Sequence, residues 1–254
     1  MFNPIVIASD NVSTAWAEAF IRVLEPGPTA SIIVQIDASE HGITENEGIR
    51  SRLSQALLQR NLSSIDTVAN TIFPNSLWNP GQPRQELFDR YRAIWPKVKK
   101  CRANRNGVYF QRLIAFPDFG DGETNQLDYV IRTYAGGNHR HSAHQASIYA
   151  PAFDATNQRQ RGFPCLQQVA FSIEHGRLMA IGFYPTQHIF EKAYGNYLGL
   201  CRLGVFMAHE LGIGFAGMQC FASHPRLGAD GKNALRSLGS DIRDLISDRV
   251  MGDA

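Results

Sequence analysis

The chain has 254 residues, 44% of them hydrophobic and 19% charged, with a net charge of +2. That length carries a sizeable core within one large domain, 1–254, and the near-neutral balance argues against nucleic acid or a membrane surface as the main partner. No apolar run approaches the roughly 18 residues of a membrane span. Met1-Phe2-Asn3-Pro4 lacks the basic-then-apolar character of a secretion signal, and Cys101, Cys165, Cys201 and Cys220 show no paired spacing. A cytoplasmic protein with reduced thiols, and with neither a disulfide framework nor a metal, is expected.

In chain order, residues 5–8 read as a short apolar strand. Asp10 or Ser13 can then cap a helix reaching about Leu24, with Trp16, Phe20 and Val23 on one face. Residues 31–36, rich in β-branched side chains, make a second strand. The stretches 44–60, 63–73 and 84–99 have helical spacing. The basic run 97–105 reads as a solvated face, with a phosphate-facing loop as the sharper alternative. Residues 107–113 read as a strand, 125–134 as a helix and 145–149 as a strand. Two strands, 168–173 and 178–183, follow Cys165. A helix from about Gln187 to Leu211 is apolar on nearly every side, which marks a buried central helix, and Gly195, Gly199 and Gly204 would let it pack closely on the sheet. A strand over 215–222 and an amphipathic helix over 229–250 complete the chain. Strands and helices mix without regular βαβ alternation, so the expected fold is α+β, a mixed sheet around a long buried helix.

Several motifs carry little. Gly212-Ile213-Gly214-Phe215-Ala216-Gly217 has spaced glycines but leaves a helix and enters a strand, the reverse of a phosphate-binding turn, so it is read as a turn. His139, His141 and His144 lack a carboxylate or thiol to complete a metal site. Cys201 and Cys220 sit in apolar segments and read as small buried hydrophobes. Cys165 differs. It follows Pro164 at a loop-to-strand junction, where a thiol can face a cleft, and Asn196 is the lone amide in the apolar helix ahead of it.

Taken together, the stretches around Cys165 resemble the thymidylate synthase family in order and spacing. Asn106 to Pro117 is similar to the family's segment with a Gly-Pro-Val-Tyr-Gly core, Asn125-Gln126-Leu127 to its Asp-Gln-Ile/Leu helix, and Ser147-Ile148-Tyr149-Ala150-Pro151 to its Ser-Ala-Trp-Asn-Pro strand end. Pro164-Cys165 matches the Pro-Cys-His nucleophile step, and Asn196 lies at the distance of the pyrimidine-reading asparagine. The likeness covers about 106–224. It implies a thymidylate-synthase-like α+β fold, a homodimer packed sheet to sheet, and Cys165 adding to C6 of a pyrimidine nucleotide or base. Methylenetetrahydrofolate would be the one-carbon donor. Tyr109 would stand near the C5 proton, and Asn196 would read the ring edge. Gln168, Arg140, Arg161 and His224 are further candidates for holding the substrate. His188, where the family has an aspartate, is the candidate toward the cofactor.

The departures are specific. The family's paired phosphate-binding arginines fall on Ser142-Ala143, and another falls on Pro185. The histidine after the nucleophile is Leu166, and the helix near Val68 has no counterpart to the catalytic glutamate. Two readings follow from the resemblance: an enzyme of altered substrate, or a protein keeping the fold as a nucleotide-binding or assembly subunit. A cysteine hydrolase or transferase unrelated to pyrimidines would need a Cys-His pair, and none is recognisable.

Overall fold

In the computed structural model, which describes residues 3–27, 30–40, 42–117, 122–137, 140–157 and 163–252, strand β1 (Ile5–Ser9) leads into helix α1 (Val12–Leu24). The cap is Asn11, not Asp10 or Ser13: its side-chain oxygen accepts the backbone N–H groups of Ser13 and Thr14 at 3.0 and 3.2 Å. Ser13 is instead buried, its hydroxyl 2.7 Å from that of Tyr194. Strand β2 (Ile32–Asp37) and helices α2 (Glu47–Gln59), α3 (Ile65–Ile72) and α4 (Arg84–Val98) follow close to the expected places.

The next segment departs from expectation. Tyr109–Ile114 is a helix, α5, where a strand was read. Phe110, Leu113 and Ile114 recur at helical spacing and are all buried, so one face of a helix, not alternate faces of a strand, fills the core. A two-strand ribbon, β3 (Phe116–Pro117) and β4 (Glu123–Thr124), then α6 (Gln126–Ala135), β5 (Gln145–Ser147) and the short α7 (Pro151–Asp154) lead toward Cys165. Beyond it come β6 (Gln168–Glu174), β7 (Arg177–His188), a π-helical turn Ile189–Ala193, α8 (Tyr194–Leu211), β8 (Gly214–Arg226) and α9 (Arg236–Gly252).

One six-stranded sheet has the order β1-β2-β8-β7-β6-β5. The pairs β1/β2 and β7/β8 are parallel and the others antiparallel, which makes the sheet mixed and the fold α+β, as expected. Strands β7 and β8 outrun their predicted ends because they stay paired through Thr186↔His224 and His188↔Arg226. The helix start accordingly moves from Gln187 to Ile189. Helix α9 starts later too: a 3₁₀ turn, Lys232–Leu235, precedes it.

Helix α8 covers one face of the sheet, over Ala180 and Tyr184 of β7 and Met218 and Cys220 of β8, all of them buried. Side chains alternate along a strand, so Ile181, Phe183, Gln219 and Phe221 lie on the opposite, open face. Of the helix glycines, only Gly204 meets the sheet. A Cβ at Gly195 would lie 2.6 Å from Val68 Cβ, and one at Gly199 2.8 Å from the Ala69 carbonyl oxygen, so these two seat α8 against α3 instead. Among the described residues no helix is long and apolar enough to cross a membrane.

Candidate active site

Between α3, α5, the end of β7 and the start of α8 lies a cavity of about 470 Å³. Cys165 enters it from the loop before β6, half-buried. The floor beneath is built by contacts that the sequence motifs supply. The Gln126 side chain donates to the carbonyls of Arg112 and Ser147 and accepts the Ser147 N–H, tying α6 to α5 and β5. Arg112 pairs with buried Asp154 at 3.1 Å, and Asp154 also accepts the Ala150 N–H at 2.8 Å. The Arg112 guanidinium lies 5.5 Å from the centre of the Phe163 ring, which in turn packs 5.4 Å from Tyr109. Gly107, at φ +129°, leaves room for that ring: a Cβ there would stand 2.6 Å from Phe163 Cε1.

Tyr109 meets the thiol directly. Its hydroxyl takes hydrogen bonds from the backbone of Cys165 and Leu166 and bonds the Cys165 sulfur. Burial holds the tyrosine well above the usual phenol range. Burial also raises the Cys165 thiol, opposed by the Tyr109 hydrogen bond and by the positive charge of Lys192. Asn196, 4% exposed, reaches the same cavity from the first turns of α8. Tyr184 lines it from β7, and its buried hydroxyl has no partner among the described residues. A buried donor left unmade costs about 1–3 kcal/mol, so a polar atom that reached this hydroxyl would be favoured there.

The π-helical turn adds a polar edge. His188 Nδ1 stands 3.4 Å from Glu191 Oε2, and Glu191 Oε1 accepts the Ala229 N–H at 2.6 Å. These contacts hold the Glu191 carboxyl below its ordinary range, the His188 bond contributing most. Opposite them, α3 and its approach present Ser63, Thr67 and Thr71, and the basic loop presents Cys101, Ala103 and Asn104. The charged side chains of that loop are exposed.

Of the residues singled out from sequence, Cys165, Tyr109, Asn196 and His188 come together on this cavity. Gln168 does not line it; it lies on the open face of the sheet, hydrogen-bonded to Gln145. His224, exposed on β8 beside Thr186, and Arg140, exposed ahead of a 3₁₀ turn, also stand outside its walls. Arg161 lies outside the described residues, as do Arg159 and His139. Among the described residues no group of three or more His, Cys, Asp or Glu is placed to hold a metal ion. Sequence reasoning missed Glu191 and Lys192. The available signal was two adjacent charges opening an apolar helix, which must face either solvent or a cavity.

No family model matches the chain. Over 110 residues it is 32% identical to a protein of Methanocaldococcus jannaschii named "Putative thymidylate synthase", a match covering 42% of this chain and 48% of that protein. The chain thus spans about half the length of that curated relative, and over the matched part it is similar to it.

Proposed function

We propose that this chain is a divergent thymidylate-synthase-like enzyme acting on C5 and C6 of a pyrimidine nucleotide or base, with Cys165 as nucleophile. One observation carries the reading: a thiol, a phenol and an amide from a loop, α5 and α8 converge on one cavity. Attack of the thiolate on C6 forms an S–C6 bond and moves the C5–C6 π electrons toward C5 and O4, so C5 becomes a carbon nucleophile. Asn196 can both donate and accept, which suits the N3–H and O4 edge of uracil. Tyr109, kept as a neutral phenol by burial, relays the proton that leaves C5. Once C5 has bonded to its electrophile, loss of that proton and departure of the sulfur as thiolate restore the C5–C6 double bond.

The walls suit a second flat ring: Val68, Val108 and Phe163 are apolar, and the Tyr184 hydroxyl and the His188–Glu191 pair offer it polar contacts. Methylenetetrahydrofolate would supply the one-carbon unit when held there. The cation set differs from the resembled family, with Pro185 and Ser142-Ala143 in place of arginines and Lys192 as the Lys or Arg lining the cavity among the described residues. That difference favours a substrate other than the family's, or, as the second reading, a nucleotide-binding or assembly subunit without chemistry.

The test is intact-mass analysis after incubation with 5-fluoro- and 5-bromo-pyrimidine nucleotides, with and without folate. An adduct or dehalogenation lost in Cys165→Ser supports the enzyme. No reaction, with a nucleotide still raising the melting temperature, supports the binding subunit. A homodimer is proposed as well, joined through the open sheet face on which Phe183 and Phe221 stack 5.7 Å apart.

A further inference from the structure

We propose that Lys192 is the positioning cation of the candidate nucleophile: its ammonium, set into the cavity wall by the π-helical turn, favours the thiolate form of Cys165. The inference rests on the reading of Cys165 as the reactive thiol and adds a residue that the resemblance does not supply.

Lys192 and Cys165 line the same cavity, one from the turn at Ile189–Ala193 and the other from the loop facing it. A π-helical turn inside a helix is uncommon and recurs at functional sites. The neighbouring carboxylate shares the lysine's field but is bonded to other groups. Glu191 spends one oxygen on the Ala229 N–H and turns the other toward His188, and among the described residues no carboxylate forms an ion pair with Lys192.

Among the described residues, the other groups around the sulfur give it little positive charge. Tyr109 on α5 and Tyr184 on β7 are kept neutral by burial. Cys101 in the basic loop and His188 with Glu191 at the end of β7 complete the titratable lining. Behind them, Arg112 beneath Phe163 is paired with Asp154, and Cys220 and Tyr197 are buried around Gln187. Among the described residues Lys192 is therefore the cation placed to favour the anion in a cavity whose burial disfavours it. The relation is mutual: burial pushes the Lys192 ammonium down, and Glu191 and Cys165 support it.

The experiment is the rate of Cys165 alkylation by iodoacetamide against pH, read by peptide mass spectrometry on the full chain. Wild type is compared with Lys192→Met, Lys192→Gln and Lys192→Arg. Expected is a higher midpoint in Met and Gln, with alkylation at neutral pH about tenfold slower, as one pKa unit requires. The alkaline plateau stays the same, and Arg keeps the wild-type profile. A changed plateau with an unchanged midpoint would mean altered access alone and overturns the inference, as would an Arg profile displaced as far as that of Met. The Gln variant carries the test if Met does not fold. Because the assay needs no pyrimidine, a shifted profile without 5-fluoropyrimidine adducts would sink the pyrimidine reading and leave Lys192's role standing. An adduct with an unshifted profile would do the reverse.

Discussion

At the scale of single residues, the site is a set of hydrogen bonds left incomplete. The Tyr184 hydroxyl is buried and, among the described residues, has no partner, so the free protein bears the cost of its desolvation. Tyr184→Phe is expected to stabilise the unliganded protein by about 1 kcal/mol, since the unmade donor is removed along with its penalty. The same variant should lose part of the rise in melting temperature that a bound pyrimidine nucleotide produces. A fall in stability without ligand would mean that the hydroxyl is already satisfied. Tyr109→Phe keeps the ring against Phe163 but removes the O–H that steadies the sulfur. The expected result is a Cys165 alkylation midpoint displaced to higher pH.

At the scale of elements, α8 is held against α3 both by close approach and by charge. Ala at an exposed helix glycine would gain about 1 kcal/mol in propensity. At Gly199 the added methyl would meet the Ala69 carbonyl oxygen at 2.8 Å, with Ile72 Cβ at 2.9 Å. Overpacking of this kind costs about 1–3 kcal/mol, so Gly199→Ala should lower stability in urea melts in spite of its propensity. Asp66 on α3 joins Arg50 of α2 at 2.7 Å and Arg202 of α8 at 2.8 Å. Burial pushes this carboxyl up, but the two guanidiniums more than reverse that, and it ends below its ordinary 3.8. Its contribution is therefore present above the unfolded value and lost as pH falls through the folded one. Wild type and Asp66→Asn should differ in stability at neutral pH and converge in acid; equal stability at both would show the pair to be inert.

At the scale of the whole molecule, the sheet buries one face under α8 and leaves the other open. Phe221 is 37% exposed there and Val6 67%, in a row that the strand register runs through Ile33 and Phe183. An apolar face at the centre of a six-stranded sheet suits a second copy, which would need to cover roughly 1,000 Å² or more in total for a specific dimer. Sedimentation should give twice the chain mass for wild type and the chain mass for Phe221→Lys. A wild-type monomer at micromolar concentration would remove the dimer from the proposal.

The α+β class, the central helix and most of the longer strands and helices were legible in the sequence because they rest on local periodicity. So was the thiol, since a Pro-Cys step at a strand entry constrains only its neighbours. The ends of β7 and the helical state of Tyr109–Ile114 were not legible, because pairing with β8 and burial of Phe110 between α3 and α4 outweigh local preference. Nor could spacing show that Gly195 and Gly199 face α3, or that Gln168 turns to the open side: a strand residue's face depends on which partner fixes its register. Lys192 was not singled out by the sequence at all. Only the folding of loop, π turn and α5 around one hollow sets that ammonium before a sulfur, because distance in space, not along the chain, determines which charges act on it.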